Sequence, residues 1–272
     1  DNMVYAFDSS TISLCLKLCP WAKFRKNKGG IKMHTLVDLR GNLPVSVYLT
    51  SASVNDVKAL DNLYIEPSAI YLMDRGYVDF NRLFKLITKK NAFFVTRAKD
   101  NMLFEVVSEA EVDKSTGIIS DERIKLTGLH TAKWYPEELR MVTYEDYATN
   151  KVYRFLTNNM EYEALTISEL YRERWNVELY FKWIKQHLHI KSFYGTSENA
   201  IYLQIWIAIC TYLLLAYAKK VMHIDQSLHT ISKNVGLFLT DKTPLNDLFN
   251  KAVPTEETED WLYPSLFSPD DF

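Results

Sequence analysis

Two aspartates, Asp8 and Asp74, stand in the same local setting. Each directly follows a short apolar run, Val4-Tyr5-Ala6-Phe7 and Ile70-Tyr71-Leu72-Met73. A carboxylate just past the end of a buried strand sits at the rim of a sheet, where α/β sheets bind ligands. Adjacent strands would bring the two together. Close carboxylates repel unless a cation neutralises them. A third acid lies in the segment 171–185. At ~100° per residue, Tyr171, Arg174, Glu178 and Lys185 fall within about 60° of helical arc. Lys182 and His189 fall on or beside it, and Leu170, Val177, Phe181, Ile184 and Leu188 form the apolar face. Two strand-end aspartates and a helix glutamate are hard oxygen donors that suit Mg²⁺ or Mn²⁺. Two such ions would stabilise the attacking and leaving oxygens of phosphoryl transfer. The neighbouring Arg and Lys would hold phosphates, and aromatics among them could stack on unpaired bases. The plainer reading is that each aspartate caps the next element and that Glu178–Lys182 is an i,i+4 pair on a solvated face. A paired-carboxylate glycosidase is a further reading, but it leaves the bases beside Glu178 unexplained.

The elements that must position these groups can be read from patterning. Val4–Phe7 is a strand, and Ile31–Leu39 and Leu43–Thr50 form a hairpin around Arg40-Gly41-Asn42. Asn55 or Asp56 caps a helix through Leu63. Ala69–Met73 and Ala92–Thr96 are strands separated by a helix over Asp79–Lys90. That order predicts a mixed α/β sheet with flanking helices. Residues 100–158 change character to short β-rich runs: Leu103–Val107, Glu122–Leu126, Leu139–Tyr144 and Val152–Thr157. Two long helices follow, Ile167–Lys191 and Ser197–Met222, and then a polar tail. The stretch Ala200–Ala218 nearly reaches bilayer length. It is read as a central buried helix, with Tyr202, Trp206, Tyr212 and Tyr217 as its core stripe.

Composition narrows the class. The chain has 272 residues, 47% of them hydrophobic, and only 8 Gly and 8 Pro, which excludes collagen and low-complexity disorder. The net charge of −2 conceals an uneven distribution. Lys17, Lys23, Arg25, Lys26, Lys28 and Lys32 make a basic stretch free of acids. Glu256, Glu257, Glu259, Asp260, Asp270 and Asp271 make an acidic tail free of bases. Cys15, Cys19 and Cys210 are too few for a disulfide framework and lack zinc-site spacing, so free thiols are expected. No basic stretch precedes an apolar run at the N-terminus, so no signal peptide is expected. Lys32 and His34 share a strand face. His34 could approach a metal centre, although a half-buried sheet histidine is the simpler role. His187 and His189 are at poor helical spacing for a metal.

Three blocks carry a resemblance. Phe7-Asp8-Ser9-Ser10-Thr11 resembles the first-aspartate block of DDE transposases of the insertion-sequence-four family. Leu72-Met73-Asp74-Arg75-Gly76-Tyr77 resembles the second block. The family's Y-(2)-R-(3)-E-(6)-K signature is matched by Tyr171, Arg174, Glu178 and Lys185. The resemblance implies a ribonuclease-H-like α/β fold. Its catalytic domain would begin at 1–99, be interrupted by a β-rich insertion at 100–158 and resume at 159–225, before a C-terminal segment at 226–272. It implies two-metal hydrolysis at transposon ends and strand transfer by the freed 3′-OH. Asp8, Asp74 and Glu178 would be catalytic and hold Mg²⁺, with Mn²⁺ as a substitute. Tyr171, Arg174 and Lys185 would contact DNA, as would Arg97 and Lys99 at the end of Phe94–Lys99. Tyr153 stands where hairpin-forming relatives place a base-stacking aromatic, and Trp134 is a second candidate. The implied partners are double-stranded DNA (terminal inverted repeats and target) and a second copy of the chain, with no membrane. The implied location is a bacterial cytoplasm, at the nucleoid. Relatives carry an end-recognition domain ahead of the first aspartate, where only seven residues stand here. The alternatives are a nuclease of the same fold that does not join strands, and a DNA-binding remnant without activity.

Overall fold

The computed structural model describes residues 2–188, 190, 192–240, 242 and 248–249. They fall into two compact units, residues 1–181 and 182–272. The acidic tail and His189 lie outside the described residues.

The first unit is built on a ten-stranded mixed sheet. Its strands are β1 (Val4–Leu14), β2 (Lys23–Arg25), β3 (Lys28–Asp38), β4 (Leu43–Ser51), β5 (Ile70–Met73), β6 (Phe93–Arg97), β7 (Phe104–Glu109), β8 (Ile118–Leu126), β9 (Leu139–Asp146) and β10 (Lys151–Thr157). The order is β2-β3-β1-β5-β6-β10-β9-β8-β7, with β4 pairing β3. The parallel trio β1-β5-β6 lies at the centre. All four residues of β5 are buried, as expected of a parallel strand covered on both faces. The hairpin β3–β4 pairs in antiparallel register around Arg40-Gly41-Asn42, and Asn42 takes a left-handed conformation at φ 51°. The β-rich stretch 100–158 supplies β7 to β10, and β10 pairs with β6. Those strands therefore continue the central sheet.

One core cluster includes Tyr5, Phe7, Leu36, Tyr71, Met73, Leu83, Phe94, Leu139 and Leu156. Tyr135 sits among Phe80, Phe84 and Phe94 in edge-on contacts. The expected helix over Asp79–Lys90 is a composite. It has one α turn, α1 (Phe80–Arg82), then a π turn at Leu83–Ile87 and a 3₁₀ turn at Thr88–Lys90. The helix expected after Asn55 is a 3₁₀ turn over Asp56–Asn62, capped by the Asn55 side chain. A short helix α2 (Thr131–Trp134) precedes β9.

The long helix expected over Ile167–Lys191 is two helices, α3 (Ala164–Glu173) and α4 (Trp175–His187). The chain tightens at the join: the Arg174 amide donates to the Tyr171 carbonyl at 3.1 Å and the Val177 amide to the Arg174 carbonyl at 3.2 Å. These are i→i−3 bonds, the 3₁₀ pattern. No Gly or Pro marks the break. In the second unit, α5 (Glu198–Val221) is capped by Ser197 and α6 (Leu228–Leu237) by Ser227. The expectation that α5 is a central buried helix fails. Ile201, Ile205, Ile209 and Tyr212 are buried, but Leu203, Trp206, Ile207, Leu214 and Tyr217 are exposed. The cause is that α5 is apolar on nearly every face, so one packed side leaves the rest uncovered. By length and hydropathy alone it is the one described helix that could cross a membrane.

Candidate functional site

The parallel pairing of β1 and β5 aligns Phe7 with Met73. Asp74 is the first residue after β5, whereas Asp8 lies within β1, which runs on to Leu14 and does not end at Phe7 as the apolar run suggests; neighbouring strands lie about 4.8 Å apart. Asp8 Oδ1 accepts a hydrogen bond from the Ser9 amide at 2.7 Å. Asp74 leaves β5 and caps the turn Arg75–Tyr77, accepting the Gly76 amide at 3.2 Å. The capping reading of Asp74 therefore holds alongside its place at the sheet rim.

Arg174, at the join of α3 and α4, brings the helix acid to the strand acid. Its Nη1 donates to Asp8 Oδ2 at 3.2 Å. Its Nη2 is 2.7 Å from Glu178 Oε1. The Arg174 side chain is 13% exposed and that of Asp8 18%. Burial opposes the arginine's charge, but Tyr171, Glu178 and Asp8 outweigh it, and the guanidinium holds its proton above the ordinary arginine value. Burial pushes the Asp8 carboxyl up to about 6; Arg174 and the Ser9 amide pull it down, while Glu178 and Asp74 push it further up. The mutual effect of the three acids is that of one electrostatic cluster.

The donor set suits a hard divalent cation: three carboxylates, two of which already turn an oxygen toward one positive group. As arranged, with Arg174 between Asp8 and Glu178, no group of three His, Cys, Asp or Glu among the described residues is close enough to enclose a metal ion. Entry of a cation therefore requires the guanidinium to give up at least one carboxylate.

The other expected site residues divide by burial. Tyr171 is buried, its ring centroid 4.9 Å from that of Phe155 and its face 5.6 Å from the Arg174 guanidinium carbon. Burial pushes its hydroxyl up to about 12. Tyr153 is buried too, stacked on Phe155 at 6.2 Å, with the Arg97 guanidinium carbon 5.2 Å above its ring. Trp134 is exposed and stacked on His130. Lys99 Nζ donates to the Val78 carbonyl at 2.9 Å. Lys99 also lines an open cleft with Asp74, Arg75, Gly76, Asp100 and Asn101. Lys185, seven residues beyond Glu178 in α4, belongs to the second unit. The three cysteines are free thiols.

Sequence reasoning missed two groupings. Arg75 and Arg154 both face Asp100, at 3.7 Å and 3.2 Å. Asp56, read only as a cap, receives Ser9, Lys32 and His34. The shared strand face of Lys32 and His34 was the available signal. His34 is fully buried, and burial lowers its pKa to about 4.

Residues 1–214 match the Transposase DDE domain family, and the chain belongs to that family. It is 37% identical over 226 residues to a Sinorhizobium fredii protein described as a transposase, y4zB, covering 82% of this chain and 62% of that protein. It is 29% identical over 243 residues to a Geobacillus stearothermophilus protein described as the transposase for insertion sequence element IS5377, covering 88% of this chain and 63% of that protein. The chain thus spans a little under two thirds of the relatives it matches. Among solved structures it resembles a piggyBac transposase synaptic complex with hairpin DNA, with a TM-score of 0.52 and 15% identity, over 93% of this chain and 58% of that one. That likeness gives the fold, a ribonuclease-H-like α/β sheet with flanking helices.

Proposed function

We propose that the chain is the catalytic core of a DNA transposase that cleaves phosphodiester bonds at transposon ends and joins the freed 3′-OH to target DNA. The observation that carries this reading is the drawing together of Asp8 and Glu178 onto Arg174, with Asp74 on the adjoining strand end. Asp8, Asp74 and Glu178 would hold two Mg²⁺ ions, with Mn²⁺ as a substitute. When bound, these ions would supply Lewis-acid activation of the phosphate and of the attacking oxygen.

The chain's own residues have separate tasks. Arg174, once released from Asp8, offers two N–H groups to a phosphate oxygen. Tyr171 supports the guanidinium from beneath. Arg97, Lys99 and Lys185 would bind backbone phosphates and fix the strand's position. Tyr153, under Arg97 in β10, would stack on a base, and the exposed Trp134 is the second candidate for that role. Residues 100–158 are read as the insertion within the catalytic domain of 1–99 and 159–225. The working assembly would be two copies on paired ends, in a bacterial cytoplasm.

Incubation with pre-cleaved transposon-end DNA and Mg²⁺ tests the reading. A joined product is expected. Nicking without joining would instead identify a nuclease, and binding without either product a DNA-binding remnant.

A further inference from the structure

Asp56 is outside the carboxylate set, yet three side chains converge on its Oδ1. Ser9 Oγ donates to it at 2.5 Å. Lys32 Nζ lies 3.0 Å away and His34 Nδ1 3.8 Å. Each partner is itself fixed. Lys32 Nζ donates to the Val54 carbonyl at 2.8 Å, and His34 Nε2 pairs with Thr50 Oγ1 at 3.0 Å. In the β1–β3 ladder Ser9 faces His34 and Asp8 faces Thr35. Successive side chains of a strand point to opposite faces. Ser9 is therefore held on one face while Asp8 is presented on the other. The same Ser9 supplies the backbone amide that binds Asp8 Oδ1. The rotation of the Asp8–Ser9 peptide thus has two controls, the backbone ladder and the Asp56 carboxylate.

We infer that Asp56, acting through Ser9, is a positioning residue that holds the Asp8 carboxylate in the orientation needed to accept a divalent cation. The inference rests on the reading that Asp8 is a metal ligand. A hydroxyl–carboxylate bond of 2.5 Å to a residue 47 positions away does not arise from local capping. Capping of the turn Asp56–Asn62 is carried out by Asn55. Lys32 compensates the charge of Asp56, so the network persists without a ligand. Outer residues of this kind typically change metal affinity about 10–100-fold when removed.

The test is Mn²⁺ binding by the purified chain, read by electron paramagnetic resonance of the free ion, beside a thermal melt. Ser9→Ala and Asp56→Asn should each weaken Mn²⁺ binding about tenfold. The double variant should bind no more weakly than either single one, because the two residues act in series. Ser9→Thr, which keeps the hydroxyl, should restore binding. Unchanged Mn²⁺ affinity in folded Ser9→Ala and Asp56→Asn proteins would overturn the inference, as would additive losses. If Asp56→Asn does not fold, Ser9→Ala and Ser9→Thr decide alone. Asp8→Ala separates the two levels. If it leaves Mn²⁺ binding intact, the metal reading fails and this inference falls with it. If it abolishes binding while the Ser9 and Asp56 variants bind normally, only the inference fails.

Discussion

Arg174 acts as an internal counter-ion, satisfying Asp8 with one nitrogen and Glu178 with the other. Removing one partner of a largely buried ion pair leaves the other charge uncompensated. Arg174→Ala should therefore lower unfolding stability by about 3 kcal/mol in chelator-treated buffer. Denaturant unfolding with and without Mg²⁺ measures this, and saturating Mg²⁺ should narrow the gap by supplying the missing positive charge. An equal loss in both buffers would show that the arginine and the cation do not share a site. Asp8 gives a pH dependence. Its carboxyl lies near 6 in the folded protein against an ordinary 3.8. The native state binds the extra proton between those values, so the Asp8 contribution to stability falls as pH rises from about 4 to about 6. Protons also compete with a cation there, so Mn²⁺ affinity should drop as pH is lowered through about 6. A flat affinity from pH 7 to 5 would show that Asp8 does not bind the ion. Residue type and spacing alone leave the capping and ion-pair readings open, but Asp8, Asp74, Arg174 and Glu178 are legible in the sequence through the resemblance of their blocks to the family's motifs. Asp56 is not, because its significance lies in a side chain 47 residues away.

At the scale of elements, the strands were readable and the helices less so. β5 shows itself as a run of four apolar residues, and the β3–β4 hairpin as two alternating runs around a turn. The join between α3 and α4 leaves no such trace. Period-3.6 patterning continues through Arg174, and the break falls on the residue whose guanidinium meets Asp8 and Glu178, a tertiary contact. The exposed sides of α5 leave no trace in the sequence for a related reason: hydrophobicity without a polar face does not say which side is packed. The entry to α3 depends on a different contact. Arg140 makes a bidentate pair with Asp121, both bonds at 2.7 Å, and also donates to the carbonyls of Asn159 and Tyr162. It thereby ties β8 and β9 to the segment that leads into α3. Arg140→Ala should destabilise the protein by about 3–5 kcal/mol. A thermal melt within a degree or two of wild type would show that this tie is dispensable.

At the scale of the whole molecule, the chain belongs to the DDE family and carries the proposed catalytic carboxylates Asp8, Asp74 and Glu178 together with basic residues on several elements. Its near-neutral total charge partly hides the basic residues, because six of its 34 acids stand in a tail free of Lys and Arg. Binding to transposon-end DNA should weaken steeply with salt, and Lys99→Ala should reduce the slope of log affinity against log salt by about 1. An unchanged slope would remove Lys99 from the DNA path. If Asp8, Asp74 and Glu178 together serve phosphodiester cleavage, each of them is needed for it. The most direct measurement is Mg²⁺-dependent cleavage of transposon-end DNA by the wild-type protein and by Asp8→Ala, Asp74→Ala and Glu178→Ala, each shown to be folded. Metal-dependent cleavage by the wild type and loss to background in all three variants are expected, because removing any one carboxylate leaves the ions incompletely held. Cleavage that persists in any one of them at the wild-type rate would contradict that shared role.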